Sequence, residues 1–213
     1  AAAGGVGLAA LEYSVWLHLP VAGTAGAPLK HRVAHLCGAR WLASSRHASA
    51  FARGLGASLL TTRTSGILNS LSEDFISVSL ALLSERGQQV EIGKRSVWSF
   101  SRAVAARRNY SVLDMATDMP GSPDWYNKDV LEVLSHRATA LVVHGLPLTS
   151  FDLVHEVRSA FRYLAGGTSL GKVVLTLPVK RGVRPRPRLP FTVLCEKLDA
   201  HVSGAVASLP DLE

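Results

Sequence analysis

Strand-like and helix-like segments alternate along most of the chain, and this alternation constrains the fold more than any single motif. Apolar, β-prone runs predict strands or extended segments at 17–26, 39–45, 65–71, 88–94, 109–115, 140–148 and 171–179. Helical spacing predicts helices that begin near Val6 and span 27–39, 48–56, 72–87, 122–138 and 150–167, with Ser72 and Ser122 as N-caps. Strands alternating with helices form right-handed βαβ units on a mostly parallel sheet. The sequence therefore predicts an α/β fold.

The chain opens with a loop rich in alanine and glycine, AAAGGVGLAALEY. It contains the pattern Ala2-x-Gly4-x-x-Gly7, which is the dinucleotide fingerprint with alanine in the first glycine position. Gly4 lets the backbone approach a pyrophosphate, and Gly7 permits close packing of the following helix. The first N–H groups of that helix then face the phosphates. The alternative, a flexible Gly/Ala terminus, stays open on this motif alone.

The region after the fingerprint indicates which nicotinamide cofactor would bind. An NAD-binding fold places an acid about 20 residues further on, against the ribose hydroxyl. Here residues 24–26 are Thr-Ala-Gly, and Lys30, Arg32 and Arg46 follow. Cations without a carboxylate suit a 2′-phosphate, so the sequence favours NADPH, although each cation taken singly could be a solvated surface charge.

Charge and apolar patterning exclude two other classes of partner. The 213-residue chain has a net charge of +7, but residues 179–190 hold five cations and no acid, and the rest of the chain is only +2. We therefore expect a Pro/Arg-rich linker or tail at 179–213 rather than a nucleic-acid-binding protein. No run reaches the roughly 18 apolar residues of a membrane span. Cys37 and Cys195 lie far apart, which favours free thiols and a cytoplasmic location.

Two other kinds of site are weakly supported. His31 and His35 stand four residues apart with Cys37 nearby, a spacing that can hold zinc, but no further ligand follows at motif spacing. We therefore predict no metal site. Ser70 and Ser72 lack the G-x-S-x-G frame of a hydrolase nucleophile.

Three ordered stretches carry a resemblance to a known family. They are the opening AAAGGVGLAALEY, then LNSL with EIGK in residues 66–95, then FR ahead of GKVVL in residues 146–178. In order and approximate spacing they resemble the enoylreductase domain of modular polyketide synthases, in the zinc-free quinone-oxidoreductase branch of the medium-chain dehydrogenase/reductase superfamily. The resemblance covers residues 1–178 and implies the cofactor-binding half of that domain. The implied fold is a Rossmann-like, doubly wound parallel sheet that lacks its first strand here.

The resemblance also implies which residues hold the cofactor. The pyrophosphate would lie on Gly4, Gly5, Val6 and Gly7. Thr24 and Lys30 match positions that bind the 2′-phosphate region or offer a lysine to the active site, and Ser45 and Arg46 match the family's SSR motif. The residues expected near the nicotinamide end, or at the start of the last strand, are Asn69, Ser70, Leu71, Gly93, Lys94 and Lys172.

The implied reaction is reduction of an α,β-unsaturated acyl thioester on an acyl carrier protein, with hydride passing from NADPH to the β-carbon. A thioester enolate needs a nearby cation or donor and a proton for the α-carbon, and Lys30 is the candidate catalytic residue. Neighbouring domains of a multienzyme would be partners, and a homodimer is left open.

Two departures from the family's pattern leave other functions open. The family often has an acid just before the phenylalanine that follows SSR, whereas Ser49 and Ala50 precede Phe51 here, and the substrate half is missing. A non-catalytic, scaffolding domain is therefore one alternative. A free-standing quinone oxidoreductase is another.

Overall fold

The computed structural model describes residues 1–58, 63–140 and 145–177. The strands are β1 Val21–Ala25, β2 Ala39–Ser44, β3 Thr64–Asn69, β4 Leu83–Glu91, β5 Asn109–Val112, β6 Leu148–Asp152 and β7 Lys172–Thr176. The α-helices are α1 Gly5–Trp16, α2 Pro28–Leu36, α3 Ala48–Ser58, α4 Asp74–Leu82, α5 Phe100–Ala105, α6 Met115–Gly121, α7 Val133–Thr139 and α8 Val157–Ala165. A π-helical segment, Trp125–Glu132, leads into α7.

Every strand pair in the described residues is parallel, as the alternation predicts. β1 pairs with β2, β3 with β4, β4 with β5, and β6 with β7. The hydrogen-bonded ladders fall into three groups, β1-β2, β3-β4-β5 and β6-β7. Since successive parallel strands need a crossover, a helix or helices lie between them, and the predicted Rossmann-like α/β fold is confirmed.

The residues ahead of α1 join two of these groups. The Ala2 N–H donates to the Thr24 carbonyl at 2.6 Å, so the opening segment runs beside β1. The Gly171 N–H donates to the Ala3 carbonyl at 3.1 Å, and Gly4 forms a parallel bridge with Gly171. Residues 1–4 are not assigned as a strand, yet this short segment occupies a place at the edge of β1.

Three apolar clusters pack the helices against the strands. The first contains Ala2, Leu11, Ala34 and Ala39, the second Ala43, Phe51 and Leu55, and the third Ile76, Leu80 and Leu83. Burial of these side chains provides the main driving force for holding α1–α4 against the strands. The carboxyl ends of β1–β4 are positioned as a consequence. No helix in the described ranges is long and apolar enough to cross a membrane.

Two predicted helices are shorter than the sequence indicated. The helix predicted at 72–87 runs only from Asp74 to Leu82, because Leu83 is fully buried as the first residue of β4. Ser72 is not its N-cap. That position is Glu73, which has a φ of 61° and makes no capping hydrogen bond through its side chain.

The helix predicted at 150–167 is wrong in its first part. Residues 150–152 belong to β6, where they pair with β7. Asp152 Oδ1 then accepts from the N–H groups of Val154 and His155, both at 2.8 Å, and this turn delays the start of α8 to Val157. Apolar spacing alone could not separate the end of a strand from the start of a helix.

The middle of the chain holds helices that the sequence did not predict. In α5 the Ser99 hydroxyl accepts from the Arg102 N–H, and in α6 the Asp114 carboxylate accepts from the Ala116 N–H. The helix predicted at 122–138 begins at Pro123, directly after Ser122 as predicted, and the Tyr126 N–H donates to the Ser122 carbonyl at 3.1 Å; the helix then continues as the π-helical segment and α7. Residues 141–144, within the extended segment predicted at 140–148, and the tail predicted at 179–213 lie outside the described residues.

Candidate nucleotide-binding site

The start of α1 has the two features that a phosphate-binding helix needs. Its N-cap, Gly4, makes no side-chain capping hydrogen bond, and the first turn carries no acid. The first N–H groups of the helix therefore keep their donors for a ligand. A Cβ at Gly4 would find its nearest atom 3.8 Å away, whereas one at Gly7 would lie 2.6 Å from the Ala2 Cα. Gly7 is thus required for close packing, while Gly4 leaves open space.

A cavity of about 240 Å³ lies in front of this helix start. Five residues predicted to hold the cofactor line it, namely Gly4, Thr24, Lys30, Ser45 and Arg46. The lining residues that were not predicted are Ala1, Ala3, Ala25, Gly26, Gly167 and Ser169. The structure therefore brings together the ends of β1 and β2, the start of α1 and the loop after α8.

The cavity is cationic. Lys30 is half-buried on α2 and Arg46 is exposed after β2, and no Asp or Glu stands among the described lining residues. Neither cation forms a salt bridge within residues 1–58, 63–140 and 145–177. Burial lowers the pKa of Lys30 from its ordinary value of 10.5, and the charge of Arg46 lowers it further. Two cations held close without an anion suit a phosphate.

Two glycines make room for the Arg46 side chain. A Cβ at Gly26 would lie 2.5 Å from Arg46 Nε and 3.2 Å from Ser45 Oγ. Gly167 has a φ of +63°, and a Cβ there would lie 3.1 Å from an Arg46 guanidinium nitrogen. The sequence did not single out Gly167 because only the tertiary fold brings the loop after α8 to this site.

A second, larger cavity adjoins the first. It measures about 430 Å³ and lies between the β2–α3 loop and the β3–α4 loop. Ser45 and Arg46 line both cavities, and Leu71, which was predicted from the LNSL motif, lines the second. The predicted adenosine-side and nicotinamide-side residues therefore meet along one continuous edge of the sheets.

The ends of β3 and β4 are joined by a buried polar network. The Asn69 side-chain amide donates to Glu91 Oε2 at 2.5 Å and to the Leu71 carbonyl at 2.7 Å. The Gly93 N–H donates to Glu91 Oε1 at 2.7 Å. Asn69 and Gly93 were predicted site residues, whereas Glu91, although inside the EIGK motif, was not identified as one.

The remaining predicted residues do not line either cavity, although Ser70 Oγ accepts a hydrogen bond at 3.4 Å from the amino group of Ala1, which lines the first. Ser70 and Val6 are exposed, and Lys94 pairs with Asp114 at 3.0 Å. The hydrogen bond from Lys94 is the main cause that lowers the pKa of Asp114. Lys172 is exposed at the start of β7, and its Cδ lies 3.8 Å from where a Cβ on Gly5 would stand.

The candidate zinc ligands on α2 have other partners. A ring nitrogen of His31 lies 2.9 Å from the Ala25 carbonyl, and one of His35 lies 3.0 Å from the Ala39 carbonyl. Burial raises the pKa of the Cys37 thiol. Throughout the part of the chain that the structure describes, no three His, Cys, Asp or Glu side chains are grouped closely enough to hold a metal ion.

Comparison with known proteins identifies the family. The family model described as "Zinc-binding dehydrogenase" matches residues 38–175, and the chain belongs to that family. Polyketide synthases are among its relatives. A phenolphthiocerol/phthiocerol polyketide synthase of Mycobacterium tuberculosis is 30% identical over 184 residues, which cover 83% of this chain and 8% of that protein.

Solved structures agree with this assignment. The CurK enoyl reductase is 29% identical with a TM-score of 0.73, over 83% of this chain and 53% of that one. The nucleotide-binding subdomain of the enoylreductase domain of PpsC from Mycobacterium tuberculosis shares the fold, with 24% identity and a TM-score of 0.59 over 67% of this chain and 81% of that one. The predicted resemblance to polyketide synthase enoylreductase domains is confirmed. The chain spans about half the length of the CurK structure and less than a tenth of the mycobacterial synthase.

Proposed function

We propose that this chain is the NADPH-binding half of an enoylreductase domain, and that it serves the reduction of an α,β-unsaturated acyl thioester carried by an acyl carrier protein. One observation carries the proposal. The cavity at the start of α1 has two cations and, among its described lining residues, no carboxylate. A site built for NAD would place an acid there to bind the ribose hydroxyls.

The residues present fit this cofactor. The first N–H groups of α1 would hold the pyrophosphate, and the open space over Gly4 lets it approach the backbone. Lys30 and Arg46 would hold the 2′-phosphate, with Thr24 and Ser45 as neutral donors beside them. When bound, NADPH supplies the hydride for the β-carbon of the substrate.

The relatives support the proposal. The CurK structure is of an enoyl reductase, and the PpsC structure is of a nucleotide-binding subdomain. The mycobacterial relative is part of a polyketide synthase, which supports neighbouring domains as partners. We propose residues 1–178 as the cofactor-binding domain and 179–213 as a linker. The carrier-bound substrate, the cytoplasmic location and the open question of a homodimer also stay predictions.

Lys30 has two candidate roles, binding of the 2′-phosphate and donation of a proton to the substrate. It shares a cavity with Arg46 and Ser45, at the end of β1 and β2, and not with the Asn69–Glu91 network at the end of β3 and β4. This placement favours binding of the 2′-phosphate over donation of a proton to the substrate. A lowered pKa would suit either role.

Two departures from the family's pattern motivate the scaffold alternative, the shortened segment before Asn69 and a missing acid in α3. Ser49 and Ala50 occupy the first turn of this helix, so no acid stands there to relay a proton. A scaffold keeps the fold without binding the cofactor, and a quinone oxidoreductase turns over quinones without a carrier protein. Both alternatives therefore make predictions that differ from the main proposal.

The test is a calorimetric titration of the 213-residue chain with NADPH and with NADH, together with an assay of the synthase that contains this sequence. We expect the chain to bind NADPH more tightly than NADH, and we expect the synthase to reduce a crotonyl thioester with NADPH. Absence of binding by either nucleotide supports the scaffold. Turnover of a quinone but not of the thioester supports the quinone oxidoreductase.

A further inference from the structure

We infer that Glu91 is a positioning residue, which holds the loops after β3 and β4 in one fixed arrangement beside the cofactor. This inference rests on the proposed function, because it assigns the end of β3 with its loop, residues 69–71, and the loop residues 93–94 to the nicotinamide end of the site.

The sheet register places the two side chains of the network next to each other. Asn69 is the last residue of β3 and Glu91 the last residue of β4, and the two are direct partners in the parallel ladder. Because carboxyl ends of parallel strands meet at one edge, both loops leave the sheet at the same level. One side chain can therefore reach both.

The Glu91 carboxylate uses one oxygen for each loop. Oε2 accepts from the Asn69 amide at 2.5 Å, and Oε1 accepts from the Gly93 N–H at 2.7 Å. Asn69 in turn holds the backbone of Leu71 in the loop after β3. Its Nδ2 donates to the Leu71 carbonyl at 2.7 Å, and its Oδ1 accepts from the Leu71 N–H at 3.2 Å. Both loops are thus tied to a single carboxylate.

The close approach of Gly93 to the Glu91 carboxylate supports a fixed arrangement of these two residues. A Cβ at Gly93 would lie 2.6 Å from Glu91 Oε1, so any other residue there would displace the carboxylate. The φ of Gly93 is not in the left-handed region, which means that close approach rather than backbone conformation explains the glycine.

The burial of the network sets it apart from an ordinary surface contact. Glu91 is 1% exposed and Asn69 is 5% exposed. No salt bridge to Glu91 is formed within the described ranges, so hydrogen bonds alone stabilise the buried carboxyl group. Burying such a group is costly without good partners, and the partners here stand where the strands end, Asn69 as the last residue of β3 and Gly93 in the loop after β4. Loss of the carboxylate should therefore release the loops more than the sheet.

The test compares Glu91→Gln with the wild-type chain. The glutamine keeps an oxygen for the Gly93 N–H but turns an NH₂ group towards the Asn69 amide, which places two donors face to face. A double variant that combines Asn69→Asp with Glu91→Gln exchanges donor and acceptor, so the carboxylate introduced at the end of β3 accepts from the new amide on β4. Glu85→Gln, on the exposed part of β4, makes the same chemical change and is the matched control.

The probes are NADPH, which reaches both ends of the site, and 2′,5′-ADP, which reaches only the adenosine end. For Glu91→Gln we expect NADPH affinity to fall about tenfold, with the Kd of 2′,5′-ADP unchanged within about twofold. The double variant restores the hydrogen bond between residues 69 and 91 but leaves the Leu71 carbonyl without its donor, so it should recover part of the NADPH affinity. Glu85→Gln should match the wild type. Gly93→Ala displaces the carboxylate without removing it, so it should also weaken NADPH binding and leave 2′,5′-ADP binding unchanged. This variant replaces Glu91→Gln in the test if Glu91→Gln does not fold.

Hydrogen exchange gives a readout that does not need a ligand. The amides of Leu71 and Gly93 should lose protection in Glu91→Gln, while those in the middle of β3 and β4 keep theirs. Equal loss of affinity for both probes, or equal loss of protection in loops and strands, would overturn the positioning role. A wild-type chain that binds both probes while Glu91→Gln behaves identically overturns only this inference. A wild-type chain that binds neither overturns the proposed function and the inference with it.

Discussion

The two ends of the candidate site are built in opposite ways. At the end of β1 and β2, Lys30 and Arg46 lie in a cavity open to water, and glycines make the room that the Arg46 side chain needs. At the end of β3 and β4, Asn69 and Glu91 are buried and hold backbone groups with short hydrogen bonds. The first end can recognise an anion by charge, and the second can fix loop geometry. We therefore propose that recognition of the cofactor and positioning of the loops depend on different chemistry at the two ends of the site.

The largest effect should come from the helix start, which serves the first end. Gly4 has a φ of −83° and open space above it, so Gly4→Asp should fold. Its carboxylate would cap α1 and repel the pyrophosphate, and we expect NADPH affinity to fall by about 100-fold or more. Calorimetry measures the loss. Gly121→Asp, at an exposed glycine with no neighbour within 4 Å, is the control, and an unchanged Kd for Gly4→Asp would place the phosphates elsewhere.

A somewhat smaller effect should come from Arg46→Ala. The guanidinium would bind the 2′-phosphate, which only NADPH carries, so NADPH affinity should fall about 30-fold while NADH affinity stays the same. The ratio of the two Kd values is the measurement. Arg53→Ala, an exposed arginine on α3, should leave that ratio unaltered. Equal losses for both nucleotides would contradict a role in 2′-phosphate binding.

Titration of Lys30 should make the affinity for 2′,5′-ADP fall about tenfold as the pH rises. Since its folded-state pKa lies below 10.5, its charge is lost as the pH rises through that lowered value, and 2′,5′-ADP affinity should fall with it. The 2′-phosphate is already ionised above neutral pH and adds no change of its own. The measurement is the Kd of 2′,5′-ADP from about pH 7 to about pH 11, a range that extends past the ordinary pKa of a lysine, about 10.4.

Lys30→Arg separates binding from proton donation. The guanidinium stays charged throughout this range, so the decline in affinity should disappear while binding near neutral pH is kept. Retained binding with lost reduction in the synthase would restore the catalytic role that the sequence assigned to Lys30. Retained binding with retained reduction would limit this residue to the phosphate.

The smallest effect concerns stability near the buried end. Gln89 is fully buried on β4, and neither of its side-chain polar atoms has a hydrogen-bond partner among the described residues. Gln89→Leu should raise the free energy of unfolding by about 1 kcal/mol, because it removes an unsatisfied polar group. Urea unfolding measures it. The exposed Gln88, whose amide donates to Ser111 Oγ, provides the control Gln88→Leu, which should give no gain.

The adenosine end was more predictable from sequence than the nicotinamide end. Gly4 and Gly7 stand in a spaced pattern with a known mechanical reason, and the Thr-Ala-Gly run in place of an acid pointed to the cations that line the cavity. By contrast, Gly167 reaches the cavity from a loop 121 residues after Arg46, and no local signal indicates such a contact. Only the fold shows it.

Buried hydrogen bonds were harder to foresee than motifs. Glu91 stands in the EIGK motif, but its link to Asn69 depends on strand register, which local sequence does not specify. The end of β6 was assigned to a helix because its apolar spacing suits both elements. The helices α5 and α6, six and seven residues long, are too short for a periodic signal.

The most direct test of the central claim, that the amides at the start of α1 hold the cofactor's phosphates, is an NMR titration of the ¹⁵N-labelled chain with NADPH. We expect the largest amide shifts at residues 5–7 and at residues 25–26 and 45–46, with smaller ones at 69–71 and 93. Saturable binding that leaves the amides of residues 5–7 unmoved would contradict that claim.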